Sequence, residues 1–398
     1  MPDARIYPQP DLDVLTTMGV AASQRVLMTI SCHDSDPIPK VVDAGAIVER
    51  DGRELQRMHN GLLVERGCYY GPWMDEIIRA TGGHHEPQEE LVFFHLLERL
   101  SQTEGDKCSV ELGSFWAYYS MWFVRNFPGA RSIALEPDPA YLEVGKRNAA
   151  LNGLQDAITF GQGAVGAEPG SLVSFVAESD GKPYDVKQYD LASTMAEFDL
   201  SHVDLLMVDI QGFEEVLLPR ALEQFAGGKV RFLIVSTHHH IISGNPTTHQ
   251  DVLDLLVKAG AHIIVEHNVS ESYSGDGLIA ASFDPRDEDF TLDVSYNRAS
   301  ASLFGGLEAE LADTQRQLAA ARAERCRAAA GLERHGRAPE HTGAAVLRPC
   351  EVGLRRHQVA PGSRLSLAVT VRRGRHPRSP AGRSRVRRAA GRRLSRRS

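Results

Sequence analysis

Between residues 108 and 283 the chain repeats one rhythm, a short apolar run followed by a helix-length amphipathic stretch. The runs at 108–112, 132–135, 157–160, 203–208, 230–235, 262–265 and 278–283 predict strands. Stretches between them, such as AYLEVGKRNAALNGL and HQDVLDLLVKAG, predict helices, the second closing on Gly260 as a C-cap. Strands alternating with helices imply an α/β fold with a doubly wound, mostly parallel sheet covered on both faces. Residues 170–200, with LVSFV and polar neighbours, interrupt the rhythm and read as an insertion between the third and fourth units.

The flanks have other patterns. In EPQEELVFFHLLERL, Leu91, Phe94, Leu97 and Leu100 fall at helical spacing, with acids in the first turn and Arg99 in the last, as the helix dipole prefers. Residues 1–84 hold short apolar runs at 25–32 and 44–48 and the Gly- and aromatic-rich HNGLLVERGCYYGPW. They read as a small β-containing extension placed as a lid on an acceptor site, ahead of a main domain over 85–290. After the acidic loop DPRDED, residues 305–335 predict an Ala/Glu/Arg-rich helix. Leu311, Leu318 and Leu332 occupy one heptad position and Leu307, Ala321 and Ala328 another, interrupted by Thr314 and Arg325. A short coiled coil giving a homodimer and a solvated single helix both fit. Residues 336–398 have too few large apolar residues to offset chain entropy and read as a disordered tail.

Composition adds a division that the pattern does not show. The 398 residues are 42% hydrophobic and 24% charged, which fits a soluble globular chain and excludes a wholly disordered or collagen-like one. The net charge of −8 combines a body over 1–321, with 23 Lys+Arg against 48 Asp+Glu, and a segment over 322–398 with 21 Arg and four Glu. An acidic body repels phosphate backbones, so a nucleic-acid or polyanion binder would have to work through the tail, which lacks interleaved aromatics for base stacking. Arg without Lys among Pro, Gly, Ala and Ser is equally what a GC-rich gene gives when read out of frame. The five cysteines, Cys32, Cys68, Cys108, Cys326 and Cys350, form no CxxC or Cys/His cluster and suggest neither a disulfide framework nor structural zinc. The start MPDARIYPQPDLDVL is acidic and proline-broken, and no run nears the ~18 apolar residues of a membrane span. A cytoplasmic protein is the expectation.

Candidate chemistry gathers at the strand ends. VELGSFWAYYSMWF closes a strand on Glu111, then turns at Gly113 into a helix, at the edge of the sheet where open α/β folds bind ligands. A side chain at Gly113 would block close approach of a ligand. The next strand ends IALEPDP, placing Glu136 to accept hydrogen bonds from two ribose hydroxyls. A dinucleotide fingerprint needs further glycines, but positions 115, 117 and 118 are Phe, Ala and Tyr, with no basic residue for phosphate. An adenosine cofactor that carries a cationic sulfonium suits Glu111 and Glu136 better.

HHEPQEELVFF, VELGSFWAYYS, IALEPDP, RNAALNGL, VDLLMVDIQGFEEVLL and VRFLIVSTH, in that order over roughly 85–285, resemble the FkbM family of S-adenosylmethionine-dependent methyltransferases. The most specific pieces are VDIQGFE and the ordered strand ends. The resemblance implies a seven-stranded class I methyltransferase (Rossmann-like) sheet with an antiparallel final strand. It implies a cofactor set of Glu111, Gly113, Ser114, Glu136, Pro137, Ala164 and Asp209, with Glu111 and Gly113 by the methionine part and Glu136 on the ribose. The family pattern Asp-x-Gly-x-Asn-x-Gly departs here at Glu111, Phe115 and Ala117, and Ala117 must adopt whatever backbone angle glycine normally takes.

Asp209 would orient or deprotonate a hydroxyl or bind a metal; its alternative is to cap the following helix, with Glu214 in the first turn. Thr237-His238-His239-His240 ends the fifth strand. His238 reads as a general base, as a metal ligand with Asp209 and His239, or as a plain hydrogen-bonding residue. His59, Asn60, Tyr69, Tyr70, Trp73, Glu214 and His239 are candidate acceptor-binding residues, and His84 and His85 read as cap-region polar residues. The leading expectation is O-methylation of a hydroxyl on a sugar, glycan or glycosylated natural product. The alternatives are a small metabolite or polyketide acceptor, or a non-catalytic polyanion binder.

Overall fold

The computed structural model describes residues 11–18 and 20–297. The expected helix over 305–335 and tail over 336–398 lie outside the described residues. Three short strands come first: β1 (Ile47–Arg50), β2 (Arg53–Arg57) and β3 (Leu63–Glu65) form an antiparallel sheet. It is pinned to the helix Pro139–Leu151, because the Leu63 and Glu65 amides donate to Asn152 Oδ1 and Asn148 Oδ1 at 2.9 and 3.0 Å. The apolar run at 25–32 lies largely in a helix, Val20–Ile30, in which Val26 and Thr29 are buried on one side.

The large sheet has nine strands among the described residues: β4 (Cys108–Leu112), β5 (Arg131–Glu136), β6 (Ile158–Val165), β7 (Leu172–Val176), β8 (Pro183–Tyr189), β9 (Val203–Val208), β10 (Val230–Thr237), β11 (His262–His267) and β12 (Gly277–Ser282). Their order is β11-β12-β10-β9-β4-β5-β6-β8-β7. Seven of them, from β6 through β5, β4, β9, β10 and β12 to β11, give the implied methyltransferase arrangement, with β12 antiparallel to both neighbours. The expected strand count is exceeded because the 170–200 insertion is itself a hairpin. β8 pairs parallel with β6 and β7 antiparallel with β8, extending the sheet at its edge.

Side chains alternate between two cores, as the period of two in a strand requires. Leu205, Met207, Phe232 and Ile234 join one core with the helices Pro87–Ser101 and Tyr118–Asn126. Leu206, Val208, Leu233 and Val235 face the other, with Val252 and Leu256 of the helix Thr248–Lys258. That helix ends as expected, with Gly260 at φ +83° and the Ala261 amide bonded back to Leu256. No helix among the described residues is long and apolar enough to cross a membrane. The chain enters β4, winds outward through β5 and β6, then returns to β9 on the opposite side of β4. This reversal opens a crevice at the carboxyl ends of β4 and β9.

A buried ionic clasp holds the far edge of this framework. Asp287 is fully buried and accepts from Arg99 Nε at 2.9 Å, Arg231 Nε at 3.0 Å and Ser282 Oγ at 2.9 Å, joining the helix Pro87–Ser101 to β10 and β12. Burial pushes its carboxyl upward, but the two guanidiniums hold it below the ordinary range. Asp287→Ala removes the buried anion that Arg99, Arg231 and Ser282 share, leaving Arg99 with Asp289 and Arg231 with Asp284, and is expected to lower the unfolding free energy by about 3 kcal/mol in urea denaturation at neutral pH. A loss below about 1 kcal/mol would show the clasp to be peripheral.

Candidate functional site

The crevice begins at Gly113. Its φ is +81°, and a Cβ built on it would lie 1.7 Å from the carbonyl oxygen of Asp209. The glycine is therefore required first by the backbone of the neighbouring strand end, which bonds through the Asp209 amide to Leu112 O at 2.9 Å. Room for a ligand is a second consequence. The loop continues with Phe115 at φ +40° and Ala117 at φ +59°, so Ala117 does adopt the left-handed angle that glycine would take at its place.

Two strand-end carboxylates hold this loop. Glu111 Oε2 accepts from the Ser120 amide at 2.9 Å and so caps the helix Tyr118–Asn126, whose own N-cap, Ala117, has no side chain for the task. Glu136 accepts from the Phe115 amide through Oε2 and from the Asp138 amide through Oε1, each at 2.9 Å. Burial pushes Glu111 up to about 8 and Glu136 up to about 7. Both line a cavity of about 250 Å³, together with Gly113, Ser114, Pro137, Ala164 and Asp209. The complete expected cofactor set thus faces one space. Ser114 is 1% exposed and its hydroxyl has no partner, so a buried polar atom awaits a ligand there. A rigid Glu136 with spare lone pairs, the free Ser114 hydroxyl and aromatic rings at Phe115 and Tyr141, stacked at 3.6 Å, fit an adenosine-containing cofactor.

At the ends of β9 and β10 stands a second group. His238 is buried, with Nε2 3.1 Å from Asp209 Oδ1 and Nδ1 2.8 Å from Glu214 Oε1. Burial disfavours its charge, but the hydrogen bonds to Asp209 and Glu214 raise its pKa well above the ordinary histidine value. Two carboxylates, one at each ring nitrogen, favour the charged form of the ring. Both ring nitrogens of His238 are thus engaged by carboxylates, and Asp209 is the member of this group that lines the cavity. His239 turns away, its Nδ1 accepting from the Ile241 amide at 3.3 Å to cap the helix His240–Ser243. Asp209, His238 and His239 do not bring ligand atoms to a common point. Among the described residues the group that does is His59, His84 and Glu90.

Of the acceptor candidates, Tyr69 and Tyr70 line the cavity, while His59, Asn60 and Trp73 do not. His59 is buried against His84, ring centroids 4.2 Å apart, over Glu90, which also takes His84 and His85. Asn60 closes a turn onto the Leu62 amide, and Trp73 lies under Arg25. Glu214 is fully buried, and its Oε1 accepts from the Gly212 amide at 3.2 Å and lies 2.8 Å from His238 Nδ1. His84 and His85 do more than cap, and His85 also lines the cavity. Sequence reasoning missed Glu86, Tyr141, Glu178 and Asp138, all of which line it. Asp138 had a signal, since an Asp before Pro139 is an N-cap pattern, and it accepts from the Ala140 amide and from Ser179 of the inserted hairpin region.

Residues 102–263 match the family model described as Methyltransferase FkbM domain. No curated protein matches the chain. Similar solved structures include the N-terminal domain of human METTL16 in complex with SAH, at 14% identity and TM-score 0.33, covering 50% of this chain and 71% of that one. TrmK of M. capricolum, in complex with S-adenosylhomocysteine, is 14% identical with TM-score 0.33, covering 56% and 86%. Precorrin-6y C5,15-methyltransferase of Geobacter metallireducens GS-15 is 15% identical with TM-score 0.31, covering 48% and 88%.

Two outcomes follow from this geometry. Gly113→Ala is expected to cost at least about 2 kcal/mol in chemical denaturation, whereas Ala117→Gly changes stability by less than about 1 kcal/mol, because relief of the left-handed angle offsets the added chain entropy. Equal effects would contradict the close approach at Gly113. Glu111 and Glu136 hold protons up to about 8 and about 7 where the unfolded chain releases them near 4.5. The native state then binds more protons than the unfolded one across that window, so stability falls as pH rises. The ligand-free chain should melt at a lower temperature at pH 8 than at pH 6, and Glu111→Gln should flatten the difference.

Proposed function

Because residues 102–263 form the domain of an S-adenosylmethionine-dependent methyltransferase of the FkbM family, we propose that the chain methylates a hydroxyl of a sugar, glycan or glycosylated natural product. The observation that supports this most is Asp209, a carboxylate that reaches the crevice and is held by the imidazolium of His238 at 3.1 Å. When bound, S-adenosylmethionine supplies an electrophilic methyl group on a cationic sulfur. Glu136 would hold the ribose, the Gly113–Ser114 turn would lie along the methionine part, and the stacked pair of Phe115 and Tyr141 would offer one outer ring face to the base. What remains for the protein is to place the acceptor hydroxyl and take its proton, and we assign both tasks to Asp209 because its carboxylate lines the cavity. His238, backed by Glu214, fixes the orientation of Asp209. Tyr69 and Tyr70 offer ring faces suited to the C–H face of a sugar.

A second reading, a small-metabolite or polyketide hydroxyl, is favoured by the exposed apolar side chains Phe213, Ile241 and Ile242 on the loops after β9 and β10. Incubating the full chain with methyl-labelled cofactor and parallel panels of glycosides and their aglycones separates the two. Label in glycosides alone supports the sugar reading, and label in aglycones alone overturns it. Asp209→Asn is expected to lower turnover by about 10²- to 10⁴-fold while affinity for the uncharged product S-adenosylhomocysteine stays within about threefold. Unchanged turnover would remove Asp209 from the proton step.

A further inference from the structure

Among the described residues six acidic side chains line the cavity, those of Glu86, Glu111, Glu136, Asp138, Glu178 and Asp209, and no lysine or arginine does. Three of them are occupied by backbone: Glu111 by Ser120, Glu136 by Phe115 and Asp138, and Asp138 by the helix it caps. Glu178 is exposed at the hairpin. Glu86 and Asp209 are different. Asp209 has one cation, His238, which it shares with the buried Glu214. Glu86 sits at the start of the helix Pro87–Ser101 with Glu89 beside it, and its nearest cationic candidate, His85 Nε2, is 3.6 Å away on a ring whose other nitrogen serves Glu90. Glu89 in turn accepts from Ser236 Oγ at 2.6 Å, so it too gains no cation. Behind them Asp276 lies 3.8 Å from Arg25 and is also within the electrostatic reach of His238. Acidic groups therefore outnumber their cationic partners in this part of the cavity, and a bound cation would favour their charged forms. The rings of Tyr69, Tyr70, Phe115 and Trp116 line the same space, and aromatic faces add to the attraction for a cation. The unpartnered, buried Ser114 hydroxyl marks the space as a ligand site independently of the charges.

We propose that the crevice selects its cofactor by charge: Glu86, supported by Glu89, and Asp209 hold the sulfonium form in preference to the neutral thioether that remains after transfer, so that loss of charge favours product release. Glu86 is then a specificity-determining residue for the cationic form. Burial and the neighbouring Glu89 keep the Glu86 carboxyl well above its ordinary range in the ligand-free chain, and an arriving cation would favour its ionised form. The inference rests on the S-adenosylmethionine reading above.

Calorimetric titration of the full chain with S-adenosylmethionine, S-adenosylhomocysteine and sinefungin, which carries an amine in place of the methyl-sulfonium, tests it. The two cationic ligands are expected to bind at least about tenfold more tightly than S-adenosylhomocysteine. Glu86→Gln should reduce that ratio to about threefold or less while leaving S-adenosylhomocysteine within about twofold of its native affinity. A native chain that binds S-adenosylhomocysteine as tightly as the cations overturns the proposal, whether or not the variant folds. So does a variant that weakens all three ligands equally, since that is the signature of a structural role. Failure of all three to bind the native chain would instead overturn the cofactor reading beneath it.

Discussion

The crevice depends on one close approach between backbones. At Gly113 the chain leaves β4 with no Cβ, and the carbonyl of Asp209 occupies the place a side chain would take. This contact lets β9 stay paired to β4 to its last residue, with the Asp209 amide on Leu112 O. The side chain of Asp209 is thereby brought beside the loop that would hold the cofactor, and His238 and Glu214 fix its direction. The strained angles at Phe115 and Ala117 are tolerated because Glu136 takes the Phe115 amide and Glu111 caps the helix that follows. Strand end, loop and catalytic candidate thus form one mechanical unit.

The second constraint is electrostatic. Carboxylates are costly to bury unless they are paired or protonated, and this crevice uses both solutions. Asp209 and Glu214 share His238, while burial pushes Glu111, Glu136 and Glu89 upward, toward their neutral forms. A ligand-free site of this kind pushes its buried carboxyls toward their neutral forms, and a bound cation would favour their ionisation. Its chemistry and its folding stability are therefore linked through the same few groups.

Much of this was legible in the sequence because it is local. Strands that end on Glu111, Glu136 and Asp209, a glycine just after the first, and helices of regular period were all readable, and together they specified the sheet and one edge of the crevice. The missing parts depend on distant pairings that periodicity does not encode. LVSFV could be seen to interrupt the rhythm, but its pairing as β7 with β8, and of β8 with β6, joins the edge of a sheet already built. His59 and Tyr69 lie ten residues apart in one aromatic- and Gly-rich segment, yet one stacks on His84 in a buried cluster and the other lines the cavity. Glu86 reads as an ordinary first-turn acid, and only the tertiary structure brings it into the cavity. His238 reads as a base because its second carboxylate, Glu214, is 24 residues away.

The central claim is that the cofactor lies between Glu136 and Asp209 with its reacting end toward Asp209. A crystal structure of the full chain with S-adenosylhomocysteine tests this most directly. The account predicts the ribose on Glu136, the Ser114 hydroxyl engaged by the ligand, and the sulfur facing the Asp209–His238 pair. Density for the ligand elsewhere, or a sulfur pointing away from Asp209, would contradict it.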